Sequence, residues 1–271
     1  MSVVVKLNHG LGNKLFKLIH GLIFGEEYNR KVIIYNLLSK HEQNEEYKLF
    51  EFYPKIKNLI KLIDGKEYES YSNKYSSLMD EEMCFAKLDT DTKILNGYMM
   101  IKYYLLNEQW RKWILNILTP INVEKISEID KLSIGIHIRV GDYLNFKDNK
   151  LSNLYFPLYT PEYYIDIIKK YPNHTIYFFT DTGKNFINNN IVPKIKNQYK
   201  FIRNNALEDL TLLSKCDILI LSASTFSYWA GYLSSGEIFC PNYFLYIKLR
   251  LQNWHIINAD TYITTDYSIY K

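Results

Sequence analysis

The sequence predicts an α/β fold with two parallel sheets, and three observations lead there. Short apolar runs of strand length alternate with segments whose apolar residues recur at helical spacing. The alternation resumes, more regularly, beyond a polar stretch near the middle of the 271 residues. Eleven Gly and seven Pro are too few for a low-complexity or disordered chain. At about 100–200 residues per domain, this length suits two α/β halves, with a ligand cleft expected between them beyond the carboxyl ends of the strands.

Taken in order, Val3 to Leu7 reads as a short buried strand and Gly10-Leu11-Gly12-Asn13 as a turn. Leu15, Leu18, Ile19, Leu22 and Ile23 fall on one helical face before a second strand at Val32 to Tyr35, which completes a β-α-β unit. From Leu37 to Lys87 the chain is irregular, with an amphipathic piece at Ile56 to Ile63 and a weakly apolar stretch at Met83 to Leu88. A helix from about Asn107 to Leu118 stops before Pro120, because the residue preceding proline is pushed out of the α region.

Pro120 to Lys131 is the expected boundary between a domain of residues 1–125 and another of 132–250, followed by a tail of 251–271. Beyond it the prediction runs strand Ser133 to Arg139, helix Pro161 to Tyr171, strand Thr175 to Thr180, helix Lys184 to Lys196 and strand Tyr199 to Arg203. Helix Leu207 to Lys215, strand Asp217 to Ser222, helix Thr225 to Ser234 and strand Glu237 to Cys240 complete the alternation.

Thirty-three Lys and Arg against 29 Asp and Glu give a net charge of +4, which suits a small anionic ligand and not a nucleic-acid-coating protein. Aromatic residues make up 16% of the chain, 25 of them Tyr, a residue that serves equally in cores and in carbohydrate sites. Cys84, Cys216 and Cys240 are too widely spaced for a disulfide framework or a zinc site, so a reducing compartment is expected. The run from Met1 to Leu7 turns at Asn8-His9-Gly10, too early for a signal peptide or anchor, and no stretch has the length of a membrane span. The expectation is a soluble cytoplasmic protein of bacterial or viral type, with no nucleic-acid partner and with its oligomeric state left open.

The segment with most chemistry is Gly135-Ile136-His137-Ile138-Arg139-Val140-Gly141-Asp142-Tyr143, a strand running into a turn. Alternation puts His137 and Arg139 on one face. A guanidinium at the end of a core strand must pair with a carboxylate or await a phosphate, so Arg139 is either an anion-binding group or half of a structural pair with Asp142. Ser224-Thr225, between a strand and a helix, reads as an anion site at a helix N-terminus or as a plain N-cap. His137 is placed to hydrogen-bond a nucleotide or to sit as a satisfied core residue.

This segment resembles the H-x-R-x-G-D-Y signature of glycosyltransferase family 11, the α-1,2-fucosyltransferases. Gly10-Leu11-Gly12-Asn13-Lys14-Leu15-Phe16 is similar to the family's G-L-G-N-Q-L-F, and Leu95-Asn96-Gly97-Tyr98 with Tyr103-Tyr104 to its L-x-G-Y segment. Thr160-Pro161-Glu162-Tyr163-Tyr164, Phe179-Thr180-Asp181 and the run from Ser224 to Leu233 match in the same order. The resemblance implies a GT-B fold, two Rossmann-like domains facing a central cleft, the first on the acceptor side and the second binding the nucleotide sugar. It also implies inverting transfer of L-fucose from GDP-β-L-fucose to a glycan hydroxyl in α-1,2 linkage, with no metal and no cofactor beyond the donor.

On that reading Arg139 meets the charge that grows on the departing β-phosphate, where a fixed bidentate donor serves in place of a metal. Gly10 and Gly12 let the backbone approach the donor, although Leu15 and the Tyr35-Asn36 end of the second strand break the dinucleotide-binding pattern. Asp181 is expected to accept the N1–H and amino group of guanine, or else to cap a helix. Asp142 is the candidate for taking the acceptor's proton, with Asn13 and Glu162 as rivals for acceptor contacts. Val140 stands where the family has a second Arg and Ala223 where it has Asn, which widens the choice of donor to other nucleotide sugars. Two alternatives stand beside this reading: a metal-dependent transferase using Asp89-Thr90-Asp91, and a non-catalytic glycan-binding protein on a degenerate transferase fold.

Overall fold

The computed structural model describes residues 1–37, 49–78, 92–95, 97, 102–121, 129–146, 155–264 and 266–270. The chain divides into two compact units, Met1–Val123 and Glu124–Lys271.

In the first unit β1 (Ser2–Leu7) leads into α1 (Leu11–Glu27) and β2 (Lys31–Asn36). Then come β3 (Ile60–Ile63), α2 (Gly65–Lys74), β4 (Ser77–Leu78), β5 (Lys93–Leu95) and α3 (Glu108–Ile117). The five strands pair in parallel in the order β3-β2-β1-β5-β4. Val3, Val4 and Val5 are completely buried, as an unbroken apolar run in an inner parallel strand should be. The piece at Ile56 to Ile63 is not one amphipathic element. A helical turn, Pro54–Lys57, ends at Asn58, and Ile60 to Ile63 then pair with Val32 to Tyr35, so strand pairing overrides the local periodicity. The Met83 to Leu88 stretch lies outside the described residues.

The second unit contains β6 (Ser133–Ile138), α4 (Pro161–Ile168), β7 (Thr175–Thr180), β8 (Tyr199–Ile202) and α5 (Ala206–Ser214). It continues with β9 (Ile218–Ile220), α6 (Thr225–Leu233), β10 (Glu237–Pro241) and β11 (Trp254–Ile257). All six strands are parallel in the order β11-β10-β9-β6-β7-β8. The chain enters at β6, runs outward to β8, and returns to β9 to build the other half. The topology therefore reverses between β6 and β9, the place where open α/β sheets hold their ligands.

Two expectations change here. The segment from Lys184 to Lys196 is a turn of α-helix, Lys184–Phe186, then π-helix over Ile187–Ile191 and 3₁₀-helix over Val192–Lys194. Pro193 cannot donate to an α-helical ladder, and the Asn190 side chain bonds Phe186 O at 3.1 Å and Ile269 O at 3.3 Å. Within the expected C-terminal tail, described residues take part in the sheet and core of the second unit. Trp254 pairs with Ile238 to add β11 to the sheet, and buried Tyr270 stacks on Phe186 with ring centroids 4.2 Å apart.

The buried tyrosines are core residues that retain a polar duty. Tyr228 donates its hydroxyl to Leu249 O at 3.0 Å, and Tyr270 donates to Tyr159 O. Burial pushes the Tyr163, Tyr246 and Tyr270 phenols well above their ordinary range, which keeps them protonated donors.

Candidate active site

Arg139 follows the last residue of β6, at the carboxyl edge of the sheet and beside the topological reversal. Its side chain, 32% exposed, is held between two carboxylates: Nη1 donates to Asp181 Oδ2 at 2.7 Å and Nη2 to Asp142 Oδ1 at 2.5 Å. Its Cζ lies 5.4 Å from the centre of the Tyr143 ring. Asp181, at the end of β7, accepts from the backbone N–H groups of Val140 at 3.2 Å and Thr182 at 2.8 Å as well as from the guanidinium. Asp181 Oδ1 thus accepts from two amides and Oδ2 from Arg139, and these contacts fix the arginine's turn.

Gly141 makes that turn possible. Its φ is +26°, and a Cβ there would fall 2.1 Å from Asp181 Oδ2. Its N–H donates to Thr182 Oγ1 at 3.0 Å, a second tie between the β6 and β7 loops. Val140 is completely buried in the apolar core and supplies a backbone amide to the site.

His137 and Arg139, alternate residues of one segment, take different partners. His137 is 7% exposed, with Nδ1 2.6 Å from Ser227 Oγ and 2.8 Å from Ser222 Oγ, and its ring lies 5.0 Å from that of Phe226. Burial, with Arg139 adding to it against the opposing pull of Asp181, drives its pKa down to about 3, so it is a neutral imidazole at pH 7. The structure therefore makes it a buried link between β6 and the start of α6.

Ser224 caps α6, its Oγ accepting from Ser227 N at 3.0 Å, while Tyr228 N bonds Ser224 O at 3.0 Å. The N–H groups of Thr225 and Phe226, the first two of the helix, precede its ladder and point out of its N-terminus. Of the two readings of Ser224-Thr225, the cap is the one seen directly.

The loop from Leu221 to Ser224 is buried, and three tyrosines serve its carbonyls. Tyr163 donates to Leu221 O at 2.9 Å and Tyr143 to Ala223 O at 2.8 Å, while Tyr246 donates to Ser222 O and, at 3.2 Å, to Ser224 O. Left without a donor, a buried carbonyl costs about 1–3 kcal/mol. Sequence reasoning missed this support, together with Ser222 and Ser227. The clue lay in the motifs themselves, since Tyr143, Tyr163 and Ser227 all fall inside segments that carry the family resemblance.

The structure thus brings Arg139, Asp142 and Asp181 into direct contact and joins His137 to the Ser224-Thr225 end of α6 through Ser227. Gly10, Gly12 and Asn13 lie in the first unit, at the start of α1. Gly10 has an extended backbone, φ −69° and ψ 168°, with nothing within 4 Å of where a Cβ would stand, so neither conformation nor packing demands glycine there. Glu162 pairs at the surface with Lys194 at 3.0 Å, which holds its carboxyl below the ordinary range. Asp89 and Asp91 lie outside the described residues.

A family model described as glycosyl transferase family 11 matches residues 54–244. The chain belongs to that family. It is a glycosyltransferase of the GT-B type, with two parallel α/β units.

Among the relatives of this family 11 enzyme, an alpha-1,2-colitosyltransferase of Escherichia coli is 26% identical over 280 aligned positions, covering 88% of this chain and 90% of that enzyme. Galactoside alpha-(1,2)-fucosyltransferase 1 of Leontocebus fuscicollis is 22% identical over 172 positions, covering 58% of this chain but only 47% of that enzyme. Among solved structures, POFUT1 in complex with GDP aligns with a TM-score of 0.54 at 11% identity, covering 87% of this chain and 96% of that one. Fucosyltransferase NodZ from Bradyrhizobium aligns with a TM-score of 0.53 at 12% identity, covering 86% and 93%. At these identities the structural likeness speaks to the fold. No helix among the described residues is long and apolar enough to cross a membrane.

Proposed function

We propose that this glycosyltransferase moves L-fucose from GDP-β-L-fucose to a glycan hydroxyl in α-1,2 linkage, by a single inverting displacement without a metal. The observation that carries the reading is that Arg139 follows β6 while α6 starts after β9, so the two stand on either side of the β6–β9 reversal. A guanidinium and two orphan amides form an anion site of the kind a diphosphate needs. As the glycosidic bond breaks, negative charge collects on the β-phosphate, and a donor already held in place stabilises it most. Asp181 and Gly141 hold Arg139 for that task.

Asp142, 56% exposed, takes the proton of the attacking hydroxyl once the diphosphate has replaced it on the guanidinium. Attack from the face opposite the departing GDP turns a β-linked donor into an α-linked product. The free, buried Cys216 and Cys240 fit a reducing cytoplasm.

The likeness to a colitosyltransferase over most of both chains favours a second donor, GDP-colitose, whose sugar is fucose without its 3-hydroxyl. A site that hydrogen-bonds this hydroxyl rejects the deoxy sugar by orders of magnitude, whereas an apolar one discriminates weakly. Calorimetric titration with GDP, followed by GDP release from either donor in the presence of a β-galactoside acceptor, tests the whole reading. Absence of both GDP binding and turnover would sink it, and turnover of GDP-colitose alone would reassign the donor.

A further inference from the structure

We infer that Tyr143 is a positioning residue that keeps the two sides of the nucleotide site in register. The inference rests on the nucleotide-site reading above and adds to it a residue that touches neither phosphate nor sugar.

Tyr143 lies two residues beyond Gly141 on the turn that carries Arg139, and it reaches across the β6–β9 reversal. Its hydroxyl donates to Ala223 O at 2.8 Å, in the residue immediately before the Ser224 cap. Its ring lies 5.4 Å from the Arg139 guanidinium carbon, and on another side it meets Phe156 edge-on with centroids 5.1 Å apart. One side chain, 9% exposed, thus contacts the guanidinium with its ring and the α6 approach with its hydroxyl.

The other two tyrosines on the loop do different work. Tyr163 comes from α4 and Tyr246 from the helix Phe244–Leu249, so they hold Leu221 to Ser224 against the body of the unit, while Tyr143 ties it to the Arg139 turn. Burial keeps the Tyr143 phenol protonated against the opposing charge of Arg139, with Asp142 and Asp181 adding to burial, so it remains a donor. Without the hydroxyl, Ala223 O loses this donor and the loop shifts to find another. The amides of Thr225 and Phe226 then move relative to Arg139, and a β-phosphate can no longer meet both at once.

The test is GDP and GMP affinity by calorimetry for the wild type, Tyr143→Phe and Tyr163→Phe, with Tyr143→Phe repeated in an Arg139→Lys background. Tyr143→Phe should weaken GDP about 10-fold and GMP, which lacks the β-phosphate, less than twofold. In the Arg139→Lys background its effect on GDP should shrink below threefold, the coupling expected of groups that act together. Tyr163→Phe should lower the melting temperature and leave the GDP-to-GMP ratio unchanged. A Tyr143→Phe enzyme whose GDP-to-GMP ratio stays within twofold of wild type overturns the inference. Should that variant not fold, Phe156→Leu, which spares the hydroxyl and loosens the ring, should weaken GDP about threefold, and unchanged affinity there overturns it equally. A wild-type protein that binds neither nucleotide overturns the nucleotide reading itself, and this inference with it.

Discussion

Arg139 Nη2 lies 2.5 Å from Asp142 Oδ1, so the cation proposed to meet the donor is tied to the carboxylate proposed to take the acceptor's proton. Half-exposed ion pairs of this kind contribute little to stability, about 0–1 kcal/mol, because water screens both partners. The pair is therefore readily exchanged for a diphosphate. Arg139→Ala should leave the fold intact, with a melting temperature within a few degrees of wild type, and should lower kcat/KM about 100-fold or more. Wild-type turnover in that variant would remove Arg139 from the mechanism.

Gly141→Ala tests whether Asp181 must stay where it is. The new Cβ would collide with Asp181 Oδ2 and occupy a left-handed backbone position, at a cost of about 1–3 kcal/mol. GDP affinity should fall along with urea resistance, since the carboxylate that moves is the one gripping Arg139. Affinity that survives alongside lost stability would show that Asp181 is not needed to aim the guanidinium.

His137 gives the stability of the second unit a defined pH dependence. Its folded pKa lies near 3 and its unfolded value near 6.5, so between those limits the unfolded chain takes up a proton that the folded chain refuses. Stability from this group is complete above pH 6.5 and is lost as pH falls, at up to about 1.4 kcal/mol per pH unit. Urea unfolding at pH 7, 6 and 5 should show that slope reduced by about one proton in His137→Gln. Equal slopes in the two proteins would mean that His137 is not buried as a neutral ring. The shifted pKa of His9 acts in the same direction in the first unit and should persist in the variant.

Chelation separates the proposed mechanism from the D-x-D alternative. Sugar transfer should continue at more than half its rate in excess EDTA, and Asp89→Ala with Asp91→Ala should keep near wild-type kcat. Strict dependence on added Mn²⁺ would transfer the charge-stabilising role to a cation.

Much of the fold was legible because parallel strands buried on both faces are written as unbroken apolar runs. Val3-Val4-Val5 and Ile218-Leu219-Ile220 need no knowledge of their neighbours to be recognised. Ile60 to Ile63 and Trp254 to Ile257 were not legible in the same way, since edge strands with mixed burial owe their existence to a partner distant in sequence. The helix expected from Lys184 to Lys196 failed where Pro193 lacks the N–H that a helix needs and the Asn190 side chain takes the Phe186 carbonyl.

By itself the sequence determined the family, the alternation of strands and helices, and the segment on which Arg139, Asp142 and His137 stand, because these depend on residue type and local spacing. Only the tertiary structure decided what those residues touch. It gave Arg139 two carboxylates, turned His137 inward to Ser222 and Ser227, and used tyrosine hydroxyls to satisfy the carbonyls of the loop before α6. Each of these contacts joins segments about 20 to 90 residues apart, apart from the Arg139–Asp142 pair, which is local to its turn. The strand order that brings the loops together is set by long-range pairing, which local sequence pattern does not encode.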